Sequence, residues 1–161
     1  MMTGRVFSVN VSTVKGGPKQ MVTGAVLRAG HGIEDDAHAG PGRRQVSLLA
    51  VEVLEEAEKR SRDSQADLRP GIFAENITTQ DVDLGRVRVG DTIRIGASVA
   101  LRVTQLGKEC HDGCAIMKRT GACVMPKKGV FAVVVTGGPV RVHDRVEIAG
   151  KPRGIFAWFR T

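Results

Sequence analysis

Short valine-rich runs cut by glycine fill most of this chain, and only one stretch carries a helical period. GRVFSVNVS (4–12) and MVTGAVLRA (21–29) are rich in β-branched side chains, which are stiff in a helix and pack well on a pleated surface. FAENITT (73–79) reads as a strand. LGRVRVGDTIRIG (84–96) reads as a strand pair turning at Gly90-Asp91, and SVALRVTQLG (98–107) as the next strand. GVFAVVVTGG (129–138) and PVRVHDRVEIA (139–149) read as a closing hairpin. In QVSLLAVEV and LEEAEKRS the period changes: Val51, Leu54 and Ala57 recur at helical spacing, with Glu55, Glu56 and Lys59 between them. This predicts one amphipathic helix from Val51 to about Arg62, with Ser47 a possible cap upstream. Arg69-Pro70-Gly71 stops anything helical.

Many short strands, glycine turns and one main helix predict a mainly β fold, a closed or partly closed β-barrel with short peripheral helices. The strands do not alternate regularly with helices, which argues against a doubly wound parallel sheet. A length of 161 residues and a hydrophobic share of 42% suit one domain with one core. That domain is expected to span 1–149. The tail, 150–161, carries Phe156, Trp158 and Phe159 among basic residues, and either packs onto the barrel or meets a partner.

The net charge is +7, which favours anionic partners, but the cations are scattered from Arg5 to Arg160. That distribution fits a solvated surface better than a dedicated polyanion site. Aromatics at 4%, with no tyrosine, supply few stacking platforms, so nucleic acid is not an expected partner. No apolar run approaches a membrane span and no signal pattern opens the chain, so the expectation is a soluble cytoplasmic protein.

All three cysteines lie in LGKECHDGCAIMKRTGACV (106–124), with His111 beside Cys110 and with Lys108, Lys118 and Arg119 around them. An odd count at close spacing is no disulfide framework. Cations lower a thiol's pKa and raise the thiolate fraction, the form that carries sulfur or binds a soft metal. Cys110, His111, Cys114 and Cys123 nominally supply four zinc ligands, but C-x3-C with an adjacent histidine fits a tetrahedral site poorly. The C-x2-C-H order of a c-type haem is absent. Cys114 and Cys123 are alternatively small buried core residues. If the segment is helical, Cys110 and Cys114 share a face, and Cys114 could resolve a Cys110 persulfide as a disulfide.

Two further constellations stand out. In GIEDDAHAGPGRRQVSLL (32–49), Asp36 and His38 precede a glycine-rich loop and the Arg43–Arg44 pair, which offers forked donors to phosphate or carboxylate. The alternative is a turn decorated with charge. In PGIFAENITT (70–79), Glu75 and Asn76 are unusual within a strand, so their side chains serve something specific, or mark a bulge or a cap.

GIEDDAHAG, RRQVSLL, PGIFAENITT, GDTIRIG, the GKEC cysteine and GVFAVVVTGGPVRVHDRVEI occur in an order that resembles the MOSC domain. This is the C-terminal domain of molybdenum-cofactor sulfurases, also found as stand-alone small bacterial proteins. The resemblance runs to about Ala149. It implies a β-barrel and a cysteine, matched by Cys110, that carries sulfur or binds the molybdenum of the cofactor. With that function the cofactor, molybdopterin, is expected to be held near Asp36, His38, Arg43, Arg44, Asn76, Lys108 and His111, and the catalytic thiols are expected to be Cys110 and, from its C-x3-C spacing and not from the family pattern, Cys114. Where the family reads FGEN, this chain has FAEN, with Ala74 for glycine. No pyridoxal phosphate is expected, since the desulfurase domain of full sulfurases is absent. The expected function is binding, carrying or sulfurating the molybdenum cofactor, with a cofactor-biosynthesis or sulfur-donating enzyme as partner. The alternatives are a small molybdenum-dependent reductase of N-hydroxylated compounds and a non-catalytic adaptor.

Overall fold

The computed structural model describes residues 2–60, 68–108 and 124–150. Its strands in chain order are β1 (Met2–Val11), β2 (Gln20–Val22), β3 (Gly24–Arg28), β4 (Gly32–Ile33), β5 (Val46–Ala50) and β6 (Ile77–Gln80). They continue with β7 (Thr92–Ile95), β8 (Val99–Leu106), β9 (Val130–Thr136), β10 (Gly138–Arg141) and β11 (Arg145–Ala149). Helix α1 is Val51–Arg60, and the short helix α2 is Met125–Lys128. Seven strands close a barrel in the order β11-β7-β8-β9-β5-β6-β1, sealed by antiparallel pairing of β1 with β11. Strand β2 extends β1 beyond the ring, and β10-β3-β4 form a separate small sheet.

Among the described strands of the barrel, only β5 and β6 run parallel. A parallel pair needs a long crossover, and α1 lies on it. Strand β5, VSLLA, does not alternate because both of its faces are buried. Leu48 joins the barrel interior with Val6, Ile77, Ile93, Leu101 and Val146. Leu49 faces outward into a second apolar cluster with Leu54 of α1, Leu68, Ile72, Phe73, Met125 and Phe131. The predicted helix is therefore present, with Val51 and Leu54 as its buried residues.

Several sequence expectations are corrected. The run 21–29 divides at Thr23 into β2 and β3, which belong to different sheets. Only the end of FAENITT is strand: Ala74 sits at φ 63 and the chain turns before Ile77. Residues 84–86 form a 3-10 turn, not a strand, capped by the Asp83 carboxylate accepting from the Gly85 N–H at 2.9 Å. The last three strands form no hairpin: β9 pairs with β5 and β8, β10 with β3, and β11 with β1 and β7. Ser47 lies inside β5 and does not cap α1.

Candidate functional site

Lys19 ends the polar loop after β1 and is 1% exposed. Burying an ammonium is costly without a counter-charge and hydrogen bonds. Here the Nζ donates to Asp36 Oδ1 at 2.8 Å and lies 2.9 Å from His38 Nδ1. The Asp36 carboxylate also accepts from the Ser12 N–H at 3.0 Å and the His38 N–H at 3.1 Å. The backbone at Lys19 is held by Gly71, whose carbonyl accepts the Lys19 N–H at 2.8 Å. Gly71 has φ 89, and a Cβ there would stand 2.5 Å from the Lys19 carbonyl oxygen, so only glycine permits this approach.

Burial pushes the Asp36 carboxyl up, but the Lys19 hydrogen bond and charge, the Ser12 N–H and the Asn76 amide together outweigh it. The net result lies below the usual carboxylate range. The His38 imidazole is lowered, first by partial burial and then by the Lys19 charge. Asp36 pulls it partly back, while Lys108 and Lys15 lower it further.

Asn76 is 1% exposed, and its side chain ties three segments together. Its Oδ1 accepts from the Ser47 N–H at 3.0 Å and hydroxyl at 3.2 Å, and its amide donates to the Asn10 carbonyl at 3.3 Å. The neighbouring Glu75 is fully buried. Its two oxygens accept from the Gly71 N–H and the Thr78 hydroxyl, each at 2.9 Å. Burial outweighs these bonds and pushes its carboxyl up to about 7. Thr78 in turn accepts from the Asn10 amide at 3.0 Å, and Asn10 Oδ1 accepts from the Ser8 hydroxyl at 2.5 Å. A polar seam thus runs beneath the Lys19–Asp36–His38 cluster.

The arginines lie on the exposed flank of the same loop. The Arg43 carbonyl accepts from the Thr104 hydroxyl of β8. The Arg44 guanidinium lies 5.8 Å from the centre of the Phe131 ring, within cation–π range. Strand β8 leads to Gly107 and the half-buried Lys108. At Gly107, φ is 67, and the close approach of Pro126 leaves no room for a Cβ.

The structure therefore brings Asp36, His38 and Asn76 together, with the charge of Lys108 acting on His38. Arg43 and Arg44 are carried by the same loop but are not bonded into that cluster. Cys110, His111, Cys114 and Cys123 lie outside the described residues, as do the zinc and disulfide-relay readings built on them. Among the described residues no group of three or more His, Cys, Asp or Glu side chains is placed to hold a metal ion. Nor is any helix among them long and apolar enough to cross a membrane. Sequence reasoning missed Lys19, a lone lysine in a polar loop with no motif around it. It also passed over Glu75 as a site residue, although that residue's oddity within a β-like run was visible.

The model of the MOSC domain family matches residues 34–147. The chain belongs to the MOSC domain family. The match takes in Asp36, His38 and the Arg43–Arg44 loop, and Lys19 precedes it. Membership ties this MOSC domain to molybdenum-cofactor-related function in general terms. No curated protein sequence matches the chain. Among solved structures, the YuaD protein from Bacillus subtilis aligns with a TM-score of 0.76 at 16% identity, over 94% of this chain and 98% of that one. YiiM from Escherichia coli aligns with a TM-score of 0.66 at 23% identity, over 96% and 73% of the two chains. YiiM from Geobacillus stearothermophilus gives 0.67 at 20%, over 95% and 77%. At these identities the likeness shows the shared barrel.

Proposed function

We propose that this MOSC domain binds the molybdenum cofactor on the face formed by the 36–44 loop and the end of β8, with Cys110 as its sulfur-carrying or metal-binding thiol. The observation that carries this reading is convergence. Thr104 fastens the arginine loop to β8, and four residues later Lys108 is close enough for its charge to act on His38. Cys110 follows Lys108 by two positions in the sequence.

The donor set fits an anionic pterin. Lys19 is already committed to Asp36 and His38. That leaves the outer edge of His38, the Lys108 ammonium and the Arg43 and Arg44 guanidiniums to meet a phosphate, for which forked guanidinium donors are suited. Asp36 holds the His38 backbone from below, and Asn76 ties the strands beneath it. The bound group would supply a soft, redox-active metal centre open to thiolate. Cys110, near Lys108, would be held as thiolate by neighbouring positive charge. As a sulfur carrier, that thiolate would attack the terminal sulfur of a donor enzyme's persulfide, form the Cys110 persulfide and release the donor's thiolate. The proposed setting is a reducing cytoplasm, where a thiolate and its persulfide persist.

Metal and pterin analysis of protein purified from a cofactor-producing host tests the reading. Bound molybdopterin lost in Cys110→Ser, and weakened more by Arg44→Ala than by Arg153→Ala, is the expected result. Equal losses at both arginines would show only general charge attraction. Bound cofactor with reductase turnover on an N-hydroxylated compound would move the assignment to a complete oxidoreductase. Neither metal nor pterin would leave an adaptor. One tightly held zinc per chain, lost with the fold on chelation, would remove Cys110 as a free thiol.

A further inference from the structure

The contact between Lys19 and His38 has a forced polarity. A lysine ammonium carries three donors and no acceptor. The Lys19 side chain is fully buried in an ion pair with Asp36 at 2.8 Å, and its Nζ lies 2.9 Å from His38 Nδ1. Nδ1 must therefore accept, so it bears no proton. An imidazole in that state holds its single proton on Nε2. Asp36 fixes both partners at once: one oxygen takes the Lys19 ammonium, and the other takes the His38 backbone N–H at 3.1 Å. The lysine, the ring and the backbone that carries the ring are all referred to one carboxylate.

We propose that Lys19 is a positioning residue that locks His38 in the Nε2–H tautomer, so that His38 serves the anion-binding face as a neutral hydrogen-bond donor. The inference deepens the cofactor reading and rests on it for the identity of the anion, a phosphate oxygen. His38 is exposed as a residue, and Nε2 is on the ring edge away from Lys19. A second proton would have to enter at Nδ1, against a lysine ammonium in direct contact. The other charges acting on the ring are Lys108 and Lys15, which oppose that proton, and Asp36, which favours it. With its inward nitrogen occupied by the ammonium and its outward nitrogen carrying the proton, His38 has no free lone pair with which to act as a base. It delivers one fixed N–H across neutral pH, while the permanent charge at the site comes from Lys108, Arg43 and Arg44.

The test uses the full chain, 15N-labelled and free of cofactor. Long-range 1H–15N spectra read the tautomer of each histidine, and a His38→Gln variant assigns the His38 signals. The expected result at pH 7 is an acceptor-type Nδ1, a protonated Nε2, and a saturable shift of the Nε2 signal on titration with inorganic phosphate. An Nδ1-protonated ring, a doubly protonated ring, or no phosphate-dependent shift would overturn the proposal. The Lys19→Met/Asp36→Asn double variant removes both charges together, so neither is left unpaired in the interior. In it His38 is expected to become a mixture of tautomers and to titrate at higher pH. An unchanged, pure Nε2–H tautomer would overturn the role given to Lys19. Should the double variant not fold, a pH titration of the wild-type ring decides: protonation of Nδ1 at the ordinary imidazole value would overturn the role given to Lys19. None of these measurements uses the cofactor, so a failure to retain molybdopterin and a failure of the tautomer lock are separate, distinguishable results.

Discussion

Replacing Glu75 with glutamine should flatten the pH dependence of stability between pH 4.5 and 7. The Glu75 carboxyl is fully buried, and burial raises it from 4.5 to about 7 in the folded state. Between those values the native chain binds a proton at Glu75 that the unfolded chain has released. Stability from this group is therefore complete below pH 4.5 and declines as pH rises, levelling off above pH 7. At about 1.4 kcal/mol per pH unit, that span corresponds to a loss of about 3 kcal/mol. The glutamine side chain would carry no titrating proton, yet its carbonyl can still accept from the Gly71 N–H that Glu75 now binds at 2.9 Å. Urea unfolding at pH 4.5, 5.5, 6.5 and 8 on both proteins, with the slope against urea held in common, reads the effect. His38 acts in the opposite direction: its lowered value adds stability that is present above its unfolded value and is lost as pH falls. That contribution is common to both proteins and cancels in their difference. Asp36, held below the carboxylate range, loses its contribution only at lower pH. A difference between the two proteins that stays constant across the series would refute the assignment of a buried, protonated Glu75.

Three further outcomes are expected from equilibrium unfolding. The Thr79 hydroxyl is buried with no hydrogen-bond partner among the described residues, so the near-isosteric Thr79→Val should stabilise by about 1 kcal/mol, and a loss would reveal a missed partner. Ala74 sits at φ 63, and Ala74→Gly should relieve that strain for a gain of about 0.5–1 kcal/mol, net of the added unfolded-state freedom. Asp36→Asn alone leaves the Lys19 ammonium buried without its partner and should cost about 3–5 kcal/mol; a cost below about 1 kcal/mol would mean the lysine finds water or another anion.

What the sequence disclosed follows from what local chemistry can encode. The barrel was legible because valine-rich alternation persists in most strands, and α1 because Val51, Leu54 and Ala57 break that period. The closing hairpin was misread because adjacency along the chain does not set pairing. Strand β9 is claimed by β5 and β8, and β10 crosses to β3. FAENITT looked like a strand throughout because nothing local announces that Ala74 takes a left-handed conformation usually left to glycine. The exchange of glycine for alanine at 74 was visible; its backbone cost was not. Asp36 and His38 stood out as a pair in sequence. Their shared partner, Lys19, sits 17 positions from Asp36 and is brought in by Gly71, a contact only the tertiary structure makes.

The pairing of β1 with β11 has a consequence for biosynthesis. The first strand of the ring waits for the last, with registers such as Met2 against Ile148 and Arg5 against Arg145. During translation, β1 and β7 each present an open hydrogen-bonding edge until β11 leaves the ribosome, and open edges recruit other chains. Closure across such a sequence distance is also slow. A ribosome stalled within β10 would thus release a chain that already contains Lys19, Asp36 and His38 but lacks the strand that seals the cylinder. For such a product, loss through aggregation precedes any question of chemistry.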